Sequence, residues 1–220
     1  MYQELQVNSS AVDSASTPSV APLRVGLIGL GTVGSGTYAV LLRNADVIYA
    51  RTGRRIEISL TAARNLARAA SQVNKHITLV DDPFLIVNHP DIDVVVEVIG
   101  GTTRARELVL QAIANGKHVV TANLFFKQKT AYEIFAAARA NRVVVSYEGA
   151  VAVSIPIIKV LREGLTANRI EWVVGIINGT TNYILSKMKA TGVSFSDALA
   201  GAQRLGYAES DPSFDVEGTD

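Results

Sequence analysis

Short apolar runs alternate with stretches whose apolar residues recur at helical spacing, and this alternation continues along most of the chain. Residues 23–28 (LRVGLI) have strand length and break at Gly29. A helical pattern follows through Tyr38, Val40, Leu41 and Leu42. Residues 51–55 read as a basic turn, 56–62 as a second strand and 65–70 as a helical turn or more. A short strand is expected at 77–80, and the Asp-Asp-Pro after it is a helix-start signal. The strongest strand is 93–99 (DVVVEVI), which is β-branched and bounded by Gly-Gly. An amphipathic helix is predicted over 103–115, with Leu108, Ala112 and Ile113 on its apolar face and Gly116 at its C-cap. Strand 118–121, helix 131–140 and strand 143–147 follow. Repeated strand–helix–strand units imply an α/β fold with a parallel sheet covered on both faces.

The pattern changes near residue 149. A helix with Pro156 near its start is expected to reach about 165, with a strand over 170–177 and helices over 182–189 and 196–205. The end, 206–220, is acidic and rich in turn residues. The expected organisation is a flexible tail (1–22), a nucleotide-binding α/β domain (23–148) and part of an α+β domain (149–220).

Composition narrows the function. The chain has 220 residues, 48% hydrophobic and 19% charged, which suits one or two packed domains. Lys and Arg number 21 and Asp and Glu 20, so there is no basic excess to neutralise nucleic-acid phosphates. The absence of Cys excludes disulfides, thiolate metal sites and cysteine nucleophiles, and is compatible with a cytoplasmic location. Residues 1–22 carry only Glu4 and Asp13 as charges and lack an apolar run, so no secretory signal is expected. The uncharged run 25–42 holds five glycines, which argues against a membrane helix. His76, His89 and His118 lack metal-site spacing and read as structural or solvated.

Gly29-Leu30-Gly31-Thr32-Val33-Gly34 fits G-x-G-x-x-G between a strand and a helix, the context a Rossmann-type dinucleotide site needs. Gly29 would make the tight turn, Gly31 would admit the pyrophosphate, and Gly34 would let helix and strand pack. The N–H groups at the helix start, including those of Thr32 and Val33, would face the phosphates. The second strand ends in Ala62-Ala63-Arg64-Asn65, without the carboxylate that holds the ribose 2′-hydroxyl of NAD. Arg64, with Arg68 a turn later, can pair with a 2′-phosphate, so NADP is favoured and NAD remains open. Gly101 and Thr102, after the 93–99 strand, are placed to receive a nicotinamide ribose.

Several segments together resemble homoserine dehydrogenase. They are GLGTVGSG (29–36), EVIGGTT (97–103), HVVTAN (118–123), YEGAVAVSIPII (147–158), NRIEWVVGIINGTTNYILSKM (168–188) and GYAESDPSFDVEGTD (206–220). That family reversibly interconverts L-homoserine and L-aspartate 4-semialdehyde with NAD(P), on the route to threonine and methionine. The resemblance implies a Rossmann-type doubly wound parallel sheet followed by part of an α+β substrate and dimerisation domain. It implies a small-molecule substrate held by Glu209 and Asp220, a homodimer at full length, and no nucleic-acid or membrane partner. It also implies a monovalent cation such as Na+, bound mostly by backbone carbonyls at Glu148, Val151, Val153 and Ile155. The acidic run between 209 and 220 suits an ammonium-bearing substrate, and Thr181 or Asn182 is expected to cap the helix facing its carboxylate.

The chain departs from the family at two places. The general acid/base lysine would fall just past Asp220. The lysine that polarises the reacting oxygen is replaced by Leu124, which neither donates a proton nor stabilises an alkoxide. Lys127 stands too far along the chain to substitute. Residues 125–134 match the family poorly while both flanks match well, and KQKTAYE within them is also what one frame of a common sequencing-library adapter encodes. Impaired activity is therefore expected of the chain as written. A non-catalytic dinucleotide-binding module, or a degenerate partner subunit, is the alternative.

Overall fold

The computed structural model describes residues 20–101, 103–123, 128–152, 155–208 and 211–218, with nothing described of the side chains at 128 and 129. The chain divides into two compact units, Met1–Lys159 and Val160–Asp220.

The first unit is a parallel sheet of six strands. In chain order these are β1 (Leu23–Ile28), β2 (Ile56–Ala62), β3 (Thr78–Val80), β4 (Val94–Glu97), β5 (His118–Thr121) and β6 (Val145–Ser146). Their spatial order is β3-β2-β1-β4-β5-β6, with every neighbouring pair parallel. The helices between them are α1 (Thr32–Arg43), α2 (Ala45–Thr52), α3 (Leu66–Ala70), α4 (Phe84–Val87), α5 (Thr103–Ala114) and α6 (Gln128–Ala140), with the short α7 (Ile157–Lys159) closing the unit. The uncharged run 25–42 is thus split between a strand and a helix, and no helix among the described residues is long and apolar enough to cross a membrane.

Two apolar layers cover the sheet, as a parallel sheet requires. On one face Val25, Leu27 and Val96 pack with Tyr38 of α1 and Ala69 of α3. On the other, Ile28, Val95, Val119 and Val145 pack with Ile86 and Val87 of α4, Leu108, Val109, Ala112 and Ile113 of α5, and Ile134 and Ala138 of α6. The fully buried stripe on α5 is the face its sequence periodicity announced.

The amino end of the sheet is tied by polar groups. Lys117 is buried, and its Nζ donates to the carbonyls of His89 (2.5 Å) and Ile92 (2.9 Å). Burial pushes the Lys117 ammonium below the usual lysine range, against the pull of Asp93 and Asp91. His89 Nδ1 accepts the Asp91 N–H and His118 Nδ1 accepts the Val144 N–H, so both rings serve the backbone, as expected.

Residues 149–159 belong to the first unit. Glu148 holds them there, because its carboxylate accepts the N–H groups of Ile158 (2.8 Å) and Lys159 (3.2 Å). The second unit contains α8 (Gly179–Thr191), α9 (Phe195–Arg204) and α10 (Ser213–Val216), with a core of Ile184, Ala198, Ala202 and Ala208. Its first turns, Val160–Gly164, are wound as a π-helix. The strand expected over 170–177 does not form: residues 169–178 carry no regular structure, and Trp172, Val174, Ile176 and Ile177 are exposed.

Candidate functional site

The strand order reverses between β1 and β4, whose following connections run to opposite sides. In open parallel sheets the crevice outside the strand ends at this point receives ligands. β1 and β4 are in register up to Ile28 opposite Glu97, so both loops leave the sheet together.

The loop after β1 is shaped by its glycines. Gly29 has φ +103°, and its N–H donates to the Ala62 carbonyl at 2.9 Å, turning the chain sharply off the strand. A Cβ on Gly34 would lie 1.9 Å from the Gly29 carbonyl oxygen, so only glycine lets α1 approach β1 this closely. A Cβ on Gly31 would meet nothing within 4 Å. Helix α1 has no side-chain cap, and its first N–H to find the preceding turn is that of Ser35, on the Gly31 carbonyl. Thr32, Val33 and Gly34 therefore present N–H groups with no acceptor among the described residues. Open space at Gly31 in front of free N–H groups and a positive helix end fits a pyrophosphate.

The edge beside this loop is basic. Arg64 lies between β2 and α3, Asn65 caps α3 by accepting the Arg68 N–H at 2.9 Å, and both arginines are exposed. Neither enters an ion pair among the described residues.

The ends of β4 and β5 carry a polar ring that the residue pattern alone did not single out. Glu97 is fully buried opposite Thr121. Its Oε1 accepts the Ile99 N–H at 2.9 Å and its Oε2 accepts the Thr121 hydroxyl at 2.7 Å. Thr121 Oγ1 accepts the Asn123 N–H at 3.0 Å, and Asn123 Nδ2 donates to the Gly101 carbonyl at 2.7 Å. The sequence signal was a lone Glu inside an otherwise apolar buried strand.

Comparison with known proteins agrees with the geometry. The profile of the homoserine dehydrogenase NAD-binding domain matches residues 29–148, and that of homoserine dehydrogenase itself matches 156–220. The chain belongs to the homoserine dehydrogenase family. The Pseudomonas aeruginosa homoserine dehydrogenase is 56% identical over 199 residues, 90% of this chain and 45% of that protein. The crystal structure of a homoserine dehydrogenase from Thiobacillus denitrificans is 60% identical, covers 90% of this chain and 46% of its own, and superposes with a TM-score of 0.83. A hyperthermophilic archaeal homoserine dehydrogenase solved in complex with NADPH, 23% identical, shares the fold with a TM-score of 0.76. The chain spans about half the length of the curated relatives it matches. The nucleotide domain is thus an NAD(P)-binding domain of this family, on the Rossmann-type sheet its sequence implied.

The remaining expected homoserine dehydrogenase residues divide between the two units. In the first, Glu148, Val151 and Ile155 lie on the turn after β6; the Glu148 carbonyl accepts the Val151 N–H and the Ile155 carbonyl accepts the Ile157 N–H. In the second, Asn178 rather than Thr181 or Asn182 caps α8. Its Oδ1 accepts the Thr181 N–H at 2.8 Å, and its Nδ2 donates to Asp215 of the acidic segment at 2.7 Å. Thr180 Oγ1 donates to the Tyr207 carbonyl at 2.7 Å, bringing the 206–208 turn to the same helix end. Asp211 accepts from the Ser213 hydroxyl and N–H, which hold its carboxyl below the usual carboxylate range. Thr102, Leu124, Lys127, Val153, Glu209 and Asp220 lie outside the described residues.

Proposed function

We propose that this chain is the cofactor-binding part, with the start of the substrate domain, of a homoserine dehydrogenase that uses NADP. The whole protein would interconvert L-homoserine and L-aspartate 4-semialdehyde in the cytoplasm, toward threonine and methionine. One observation carries this reading: the uncapped start of α1 at the strand-order reversal, with open space at Gly31.

Bound NADP supplies the hydride acceptor. The protein's part is binding and orientation. The N–H groups of Thr32, Val33 and Gly34 hold the pyrophosphate. Arg64, aided by Arg68, pairs with the 2′-phosphate, and Gly101 and Thr102 receive the nicotinamide ribose. Glu209 and Asp220 take the substrate ammonium by charge-assisted hydrogen bonds. A monovalent cation such as Na+ would sit on the carbonyls of Glu148, Val151, Val153 and Ile155. The carbonyls of Glu148 and Ile155 already accept one N–H each and keep a second lone pair. A homodimer belongs to the same reading.

Fluorescence titration with NADPH and NADH tests it. The chain should bind NADPH more tightly, and R64A should lose about tenfold for NADPH and little for NADH, as for one charge-assisted hydrogen bond. Equal affinity of the unaltered chain for both cofactors would refute the choice of NADP. Leu124 favours a second reading, a dinucleotide-binding module without catalysis. On either reading, homoserine-dependent NADP reduction by the chain as written should be close to background, because Leu124 can neither take up the hydroxyl proton nor stabilise the alkoxide.

A further inference from the structure

Glu97 does something that none of these roles requires. A carboxylate removed from water is normally paired with a cation, because an isolated buried charge is costly. Glu97 is 0% exposed and forms no ion pair among the described residues. Both of its oxygens accept hydrogen bonds, from Ile99 N–H and the Thr121 hydroxyl, and neither donates one. A neutral side chain could tie the two loops together as well. The negative charge itself is left over.

Its place in the fold gives that charge a use. The sheet has the two-halved order in which a dinucleotide lies across the reversal, one nucleotide over β1-β2-β3 and the other over β4-β5-β6. The glycine loop and Arg64 occupy the first half, so the nicotinamide falls to the second. Glu97 ends β4 at the root of the Gly100–Gly101 turn, where both glycines take positive φ, 67° and 77°. The nicotinamide ring carries a positive charge when oxidised and none when reduced. A fixed carboxylate under that half of the crevice separates the two forms by charge alone.

We propose that Glu97 is a positioning residue whose buried charge selects oxidised over reduced nicotinamide cofactor. It acts through space, from the root of the loop that the Thr121–Asn123–Gly101 bonds tie down. The proposal rests on the assignment of the crevice as the cofactor site.

The test is the affinity of the purified 220-residue chain for NADP+ (calorimetry) and for NADPH (fluorescence), compared with E97Q and T121V. Unit charges about 10 Å apart at an effective dielectric near 20 correspond to roughly tenfold in affinity. E97Q should therefore weaken NADP+ by about tenfold and leave NADPH within about twofold. T121V breaks the ring but keeps the charge, and should weaken both forms alike. If E97Q does not fold, E97M removes the charge together with the bonds from Ile99 and Thr121, so both affinities should fall, NADP+ by about tenfold more than NADPH. An unchanged ratio of the two affinities in the neutral variant overturns the proposal, as does a T121V shift in that ratio equal to the E97Q shift. If the unaltered chain binds neither form, the cofactor site itself fails and the selector with it; if it binds both and the ratio stays fixed, the selector alone fails.

Discussion

Gly31 and Gly34 stand three residues apart, yet alanine should act on them in opposite ways. At Gly34 the new Cβ would sit 1.9 Å from the Gly29 carbonyl oxygen and 2.9 Å from its carbon. Both are backbone atoms of a turn already held by the Gly29 N–H on Ala62, so no side chain can swing away. Restoring ordinary contact means prising α1 from β1 by more than an ångström. Overpacking of that kind costs about 3 kcal/mol, and the helix propensity gained by replacing Gly returns about 1 kcal/mol. A net loss of about 2 kcal/mol should lower the melting midpoint of the first unit by roughly 4–8 °C. At Gly31 the Cβ meets nothing and φ is −81°, open to any residue. G31A should cost at most about 1 kcal/mol, from a poorer N-cap. It should weaken NADPH by tenfold or more, because the methyl stands where the pyrophosphate must approach the free N–H groups. Thermal melts by circular dichroism and NADPH fluorescence on both variants separate the effects. A G34A protein as stable as the unaltered chain, or a G31A protein that binds NADPH normally, would refute the reasoning.

Three further outcomes are expected. K117M leaves the Ile92 carbonyl without its donor and the His89 carbonyl with only the Ile92 N–H at 3.4 Å, and should destabilise the first unit by about 1–3 kcal/mol in urea unfolding. In the folded state the Lys117 pKa is depressed below 10.5, so the unfolded chain holds the proton more firmly. Stability should therefore rise with pH through the window below 10.5, and K117M should abolish that rise; a pH series of unfolding curves at alkaline pH checks both. N178A removes the α8 cap and the tie to Asp215 and should loosen the second unit by about 1–2 kcal/mol, seen as lost helical signal at lower urea. Re-sequencing the gene across codons 110–140 should return lysine at 124 and family-like residues through 134; unchanged codons there would show that Leu124 belongs to the protein itself.

The nucleotide half was legible because its signals are local. The β1–Gly loop–α1 unit is written in one continuous stretch, and the run 93–99 is apolar enough to name itself a buried strand. Helix α2 was not legible. Its eight residues, ADVIYART, have no buried member, so they carry no stripe for periodicity to find. The α8 cap was read three or four residues late, because Asn178-Gly-Thr-Thr-Asn offers several capping side chains, and the choice fell to the one that also reaches Asp215. The lone Glu97 in an apolar strand was visible, but not the ring it joins. That ring joins residues 24 apart in sequence, and only the parallel register that sets Glu97 against Thr121 brings them together.

Residues 169–178 show the same dependence from the other side. RIEWVVGIIN has the β-branched and aromatic content of a strand, yet it remains without regular structure and its large side chains stay exposed. Strand propensity measures packing against cross-strand neighbours more than any backbone preference. In the first unit each apolar run finds a parallel neighbour, and the ladder satisfies its N–H and carbonyl groups. Among the described residues of the second unit, no strand offers that to 169–178. A helix closes its own hydrogen bonds, so α8 and α9 form around Ile184, Ala198 and Ala202 without help from distant chain. Apolar pattern alone therefore specified helices in both units, but specified strands only where the chain also supplied the partner.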